Sequence, residues 1–318
     1  MLTVDTEEID PRYLHHLLRS GLYKAEIGRI SRNLPPNGYD LSWEAFRAMP
    51  VALPTLEDQR RISGFLDSQV GLMESAISAR ERQMSLVEDR FAAFWSERLL
   101  DLADPRDWMP LRRFLRSITD GPFGSSLTSE HYSETGARVV RLGNLGPARF
   151  RPDNDARISL EYFAELRDHA VLPGDLLVAG LGDEKQPLGR ACVAPDDLGP
   201  AIVKADCFRV RLDTDVVSHA YAAWAMSSPP VAAETLVISR GATRARINTA
   251  IARDVRIPVP ARPDQGAFVA EMERQRAASD GATQALTHGL VLLQERQQSV
   301  ITAALTGQLD VTTARAVA

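Results

Sequence analysis

Apolar and polar positions along the chain first resolve into one long helical stripe. Numbered as a heptad from Leu66, the a positions are Leu66, Met73, Arg80, Val87 and Phe94, and the d positions are Val70, Ile77, Met84, Phe91 and Arg98. Only two arginines break the stripe, which marks a coiled-coil seam rather than the broader face of a surface helix. The run is led in by Leu53-Pro54-Thr55-Leu56-Glu57-Asp58-Gln59. Thr55 suits the N-cap, and Glu57 and Asp58 fall in the first turn, where carboxylates favour the helix dipole. No proline interrupts the stretch from Thr55 to Asp104. The spacing predicts a helix of about 40 residues, a rod on the order of 60 Å long.

The same text returns 206 residues later, where Pro54, Asp58 and Gln59 become Pro260, Asp264 and Gln265. On that offset the second seam reads Met272, Arg276, Ser279, Thr283, Leu286, Leu290, Leu293, Gln297, Val300 and Ala304, six of the ten apolar. A weaker echo at an offset of 208 sets Val4-Asp5-Thr6 beside Leu212-Asp213-Thr214, and the helix-like Tyr13–Leu18 beside Tyr221–Met226. A repeat of this length constrains the architecture before any single element does.

Between the two stripes the period changes. Ala137–Leu142, Asp175–Ala179, Ile202–Lys204 and Phe208–Leu212 read as strands, and Val217–Met226 as a helix. Trp108–Leu115 reads as a strand or short helix running into a glycine-rich turn. The expected fold class is α+β, with mixed strands and short helices flanked by two long helices that form an antiparallel coiled coil.

The ordinary composition, 44% apolar and 25% charged in 318 residues, predicts a soluble globular chain of two domains. The acidic start, Met1–Glu8, is unlike a secretory signal, and no apolar run reaches membrane-spanning length. Cys192 and Cys207 lack zinc or redox spacing, so two reduced thiols in a cytoplasmic protein are expected, with no membrane partner. The net charge of −5 is unevenly spread. Leu236–Arg256 holds five arginines against Asp254, and Trp108–Arg151 holds seven against Asp120, Glu130 and Glu134. A DNA-binding face needs such local basic stretches, not a basic protein.

A proline-rich lead-in to a long helix, present twice and bracketing a globular segment, resembles the specificity subunit of type I restriction–modification systems. The lead-ins are Ala52–Gln59 and Pro258–Gln265. Between them stand Asp120-Gly121-Pro122-Phe123-Gly124-Ser125-Ser126, Val140–Gly146, Leu172-Pro173-Gly174-Asp175-Leu176-Leu177 and Gly189-Arg190. The resemblance covers nearly the whole chain. It implies that residues 1–51 are the last third of a first target-recognition domain and 52–104 the first long helix. A complete recognition domain would follow at 105–260, the second long helix at 261–306, and a loose tail at 307–318. It further implies a non-enzymatic, cytoplasmic subunit of bacterial defence that reads a DNA half-site. The partners implied are double-stranded DNA, a methyltransferase subunit, a restriction/translocase subunit, and a second specificity chain or fragment. S-adenosylmethionine, ATP and Mg²⁺ would belong to the partners, and this chain would hold no cofactor or metal. The helix contacts expected to carry the assembly are Leu66, Met73, Ile77, Met84, Val87, Phe91, Leu286, Leu290 and Leu293.

Candidate chemistry lies in three loops. Gly121, Pro122, Phe123, Gly124, Ser125 and Ser126 form a stiffened loop able to bring N–H groups and hydroxyls to phosphate or base edges. Arg240, Thr243, Arg244, Arg246 and Asn248 offer side chains suited to guanine and adenine edges. Arg141 and Asn144 form a third set. Each loop also reads as an ordinary turn or a solvated basic loop. Two other classes stay open. Asp175, Asp183 and Lys185 fit a loose pattern of Mg²⁺-dependent nucleases, and the helices alone would suit a coiled-coil scaffold protein. No phosphate-loop motif is present, so no ATP-driven motor is expected in the chain itself.

Overall fold

Pro54 and Pro260 each hold an extended lead-in, and the helix behind each begins two residues later, at Leu56 and at Arg262. Their lengths, 45 and 44 residues, are nearly equal. A computed structural model describes residues 6–31, 40–183, 186–239 and 245–311. In chain order the helices are α1 (Pro11–Arg19), α2 (Gly21–Ile30), α3 (Trp43–Arg47), α4 (Leu56–Leu100), α5 (Leu160–Glu165), α6 (His219–Ser227), α7 (Pro229–Ile238), α8 (Thr249–Ala252) and α9 (Arg262–Leu305). The strands are β1 (Met109–Pro110), β2 (Leu115–Thr119), β3 (Tyr132–Ser133), β4 (Ala137–Val140), β5 (Leu145–Gly146), β6 (Arg149–Phe150) and β7 (Arg157–Ile158). They continue as β8 (Ala170–Val171), β9 (Leu176–Ala179), β10 (Ala191–Val193), β11 (Ala201–Val203), β12 (Cys207–Leu212) and β13 (Arg256–Ile257). The chain is thus α+β, and its long helices pair antiparallel. It divides into one unit of residues 1–87 and 280–318 and another of 88–279.

In the second unit two sheets carry the domain. An antiparallel sheet runs β10-β9-β12-β2, and a five-stranded sheet runs β3-β7-β4-β11-β8, with β4 and β11 parallel. Strand β9 is buried along its whole length, as its unbroken Leu-Leu-Val-Ala text requires. Helix α6 lies on β9 and β10, and every residue from Tyr221 to Ser227 is buried. Ser227 Oγ accepts from Ala191 N at 2.9 Å and donates to Ala191 O at 3.0 Å, so a polar residue closes that face without an unpaired group. The C-terminal end of α4 and the start of α9 join the same core through Phe91, Trp95, Leu99, Phe268 and Met272. Arg276, a polar break in the second seam, is only 7% exposed. Its guanidinium lies 3.8 Å from the Trp224 ring centroid and 5.8 Å from those of Phe91 and Trp95. Such desolvated cation–π stacking is worth about 2 kcal/mol. Arg98, a break in the first seam, pairs with Glu271 at 3.1 Å.

The first unit contains the rest of the helix pair and α1–α3, with no strand among its described residues. Leu66, Ile301 and Ala304 form its buried cluster, with Val70 and Val300 against them. Met73, Ile77, Met84, Val87, Leu286, Leu290 and Leu293 are all half-buried, the condition of seam positions in a two-helix pair. Arg80 turns outward and binds Gln83.

The repeat holds at atomic level. Helices α1 and α6 correspond at an offset of 208, as do α2 and α7, with the same lengths and the same serine, Ser20 or Ser228, at the joint. Gln59 Oε1 accepts from Asp10 N at 2.9 Å, while Nε2 donates to Glu8 O and Pro54 O. Gln265 Oε1 accepts from Ser218 N at 3.0 Å, while Nε2 donates to Val216 O and Pro260 O. Both glutamines are buried, and both spend their amides on the same three backbone groups. Tyr13 and Tyr221 likewise donate their hydroxyls to the lead-ins, at Ala52 O and Pro258 O, each at 3.0 Å.

Candidate nucleic-acid interface

The loop after β2 is fixed from beneath. A Cβ on Gly121 would stand 2.0 Å from the carbonyl carbon of Lys204, so only glycine allows this approach. Asp120 Oδ1 accepts from Gly121 N at 2.7 Å and from Asp206 N at 2.9 Å. His169 Nδ1 lies 2.6 Å from Asp120 O, to which it donates. Burial pushes the Asp120 carboxyl up to about 6, against the pull of the Gly121 and Asp206 N–H groups. The neighbouring Asp206 carboxylate adds to the rise and Arg246 opposes it. Gly121 and Pro122 are therefore buried footing, and the loop displays Phe123, 51% exposed, with Gly124 and Ser126. Tyr162 donates its hydroxyl to Ser126 O at 2.6 Å and stacks on His131, pinning the far side. Of Ser125 the backbone alone is described.

The second loop meets the first at one turn. Asp206 adopts φ +67°, a left-handed conformation that aspartate tolerates better than most residues. Its N–H reaches Asp120, its carbonyl accepts from Gly180 N at 2.8 Å, and its carboxylate accepts from Arg246 Nε at 2.9 Å and Nη2 at 2.7 Å. Ile247 N donates to Gly180 O, and Leu181 forms a β-bridge with Arg246. The Arg246 side chain stays 52% exposed. Asn248 is exposed but commits Oδ1 to capping α8 through Ile251 N. Arg240, Thr243 and Arg244 lie outside the described residues.

The third loop corrects an expectation. Asn144 is fully buried, so it has no edge to show DNA. Its Oδ1 accepts from Arg141 N, and its Nδ2 donates to Arg151 O and Asn154 O. It is the internal brace of the loop. Arg141 stacks 4.7 Å from the Tyr132 ring centroid. Beneath it, buried Arg190 donates to the carbonyls of Leu142, Leu145, Leu181 and Pro187. Desolvation lowers the Arg190 pKa from its ordinary value, and the four carbonyls solvate the charge in place of water. A lone arginine in a Gly-Arg pair gave no sequence sign of this role.

Of the nuclease pattern, the two described carboxylates are each engaged in local structure. Asp175 is 5% exposed and accepts from Arg211 Nε at 2.6 Å, Arg211 Nη2 at 2.9 Å and Leu172 N at 2.8 Å. Its charge is already paired with a guanidinium, which opposes the approach of a cation. Asp183 caps its own turn through Gln186 N, and Lys185 lies outside the described residues. Among the described residues no group of three His, Cys, Asp or Glu side chains could hold a metal ion. Nor is any helix there long and apolar enough to cross a membrane.

No protein-family model matches the sequence, and no curated protein matches it either. Solved structures do. A chain from a structure of complex assembly and conformational transition in the type I R-M system superposes with a TM-score of 0.74 at 17% identity, over 97% of this chain and 74% of that one. The HsdS subunit from Thermoanaerobacter tengcongensis matches with a TM-score of 0.46 at 19% identity, over 97% and 73%. The S subunit from M. genitalium gives 0.44 at 11%, over 94% and 74%. The first of these carries the likeness, and it is one of architecture: the chain shares its fold with a chain of a type I R-M system structure.

Proposed function

We propose that the chain is the sequence-specific DNA-binding subunit of a type I restriction–modification complex. The observation that supports this best is the joining of two loops at Asp206, which brings the exposed Phe123 loop and Arg246 onto one braced edge of the recognition domain. The edge suits double-stranded DNA: Phe123 offers an apolar wedge or stacking face, Arg246 a guanidinium fork, and Ser126 an exposed hydroxyl. On this reading the domain reads one half-site and the long helices set the spacing to the next. The chain performs no catalysis and holds no cofactor. A methyltransferase subunit brings S-adenosylmethionine, and a restriction/translocase subunit brings ATP hydrolysis with Mg²⁺. The assembly works in the cytoplasm, and a second specificity chain or fragment supplies the other half-site. The test is co-expression with neighbouring gene products followed by methylome sequencing. Methylation at one bipartite motif, lost when this chain is deleted, is the expected result. Metal-dependent cleavage by the isolated chain, or an unchanged methylome on deletion, would overturn the reading.

A further inference from the structure

We infer that Asp206 is a positioning residue that presents Arg246 for bidentate pairing with a guanine, and so sets one letter of the target. The inference rests on the DNA-recognition reading above and adds to it a specific base and the residue pair that selects it.

The geometry around Asp206 has three parts. Its backbone is left-handed, at φ +67°, a conformation that favours glycine over a residue with a side chain. A glycine would therefore serve the turn better, and the carboxylate must offset that cost by what it holds. It holds Arg246, through Nε at 2.9 Å and Nη2 at 2.7 Å, both on Oδ1. The backbone groups of Asp206 meanwhile fix the turn to Asp120 and Gly180, which holds the base of its side chain in place.

A guanidinium is a planar fork with five N–H donors. Asp206 takes the side-on edge, Nε with one hydrogen of Nη2. What remains is the end-on edge, Nη1 with the other Nη2 hydrogen, and Nη1 has no partner among the described residues. Two parallel donors on a rigid plane match the O6 and N7 acceptors of guanine in the major groove, and no other base presents two acceptors there. The Arg246 side chain is half exposed, so this edge is open to a ligand while the other is clamped. An unclamped surface arginine would reach phosphates from many rotamers and discriminate nothing. Clamped, it offers one direction and one pattern.

The left-handed backbone also supplies a clean test. Asp206→Gly keeps the turn and the N–H to Asp120 while deleting only the carboxylate. Asp206→Asn keeps the turn and an oxygen acceptor while removing the charge. The unaltered chain, both variants and Arg246→Ala are each used to select from a randomised duplex library, and enriched sequences are compared position by position. Thermal melting and circular dichroism report the fold. The expected result is a guanine at one position of the unaltered chain's motif. Its preference should fall about 10- to 100-fold in Asp206→Gly and Arg246→Ala, with Asp206→Asn intermediate and the other positions untouched. Asp206→Gly should melt no lower than the unaltered chain. Retention of the guanine preference in Asp206→Gly, or an even loss across all positions, overturns this inference and leaves DNA recognition standing. Failure of the unaltered chain to enrich any motif overturns both.

Discussion

The two copies of the repeat share a skeleton and differ in what covers it. In both, two helices of nine and ten residues meet at a serine, a tyrosine anchors the lead-in, and a buried glutamine ties three backbone groups to the start of a long helix. In the second copy strands β9 and β10 lie over α6, which is buried from Tyr221 to Ser227. In the first copy α1 buries only Tyr13, His16 and Leu17, while Leu22, Trp43, Val51 and Leu53 stand exposed nearby. Trp224 packs inside the second copy, and the same step of the first copy carries His16, bonded to Asp67 at 2.8 Å. The polar joint is thus the invariant of the repeat within this chain, and the apolar face varies with its cover. A hydrogen-bond pattern specifies the lead-in; burial specifies the side chains around it.

The largest test of that contrast is Trp224→Ala against His16→Ala. Removing Trp224 leaves a cavity and strips Arg276 of its aromatic stack, at a cost of about 3–5 kcal/mol. The partly solvated pair of His16 and Asp67 should cost about 1 kcal/mol or less. Urea denaturation measures both, and equal losses would erase the distinction between covered and bare copies.

Next come the glutamines. Gln59→Ala and Gln265→Ala each strand one N–H and two carbonyls, so each should cost about 1–3 kcal/mol. The two sites share no partner, so the double variant should lose the sum. Losses that differ by more than twofold would show that the matched geometry conceals unmatched energetics.

The smallest effect separates the copies by pH. Asp10 caps α1 where Ser218 caps α6. Burial pushes the Asp10 carboxyl up, but the N–H groups of Tyr13 and Arg12 and the Arg12 guanidinium outweigh it, and the net shift is below 3.8. Its contribution is present above that value and lost as pH falls through the depressed pKa. Asp120, in the second unit, is raised to about 6. Its contribution is complete below 3.8 and is lost as pH rises through about 6. After solvent screening each effect should stay near or below about 1 kcal/mol. In melting curves from pH 3 to 7, Asp10→Ser should flatten the acid limb alone, and Asp120→Asn the limb between pH 4 and 6. A variant that leaves its limb unchanged would refute the assignment.

How much of this was legible beforehand follows the range of each interaction. The seams and the duplicated lead-ins are written in local periodicity and in Pro54, Gln59, Pro260 and Gln265, so they read directly from the text. Helix α7 did not, because Pro229-Pro230 looks like a breaker; at the first two helical positions proline forfeits no hydrogen bond. Asn144 looked like an exposed donor in a glycine-flanked turn, whereas its bracing role needs Arg151 and Asn154 brought back upon it. Asp206 was invisible as a site because its three partners, Asp120, Gly180 and Arg246, stand far from it along the chain.

The two cysteines give the molecule an internal clock. Cys192 on β10 and Cys207 on β12 flank β9, and neither is exposed at all. Burial pushes the Cys192 thiol up to about 12 and the Cys207 thiol higher still. Reaction with a thiol reagent therefore waits for the sheet to open, and its rate at native conditions counts those openings. The first unit has no cysteine, so the count belongs to the second unit alone. On the DNA-binding reading proposed above, protection of these thiols by an added duplex would register binding without any label on the contacting surface.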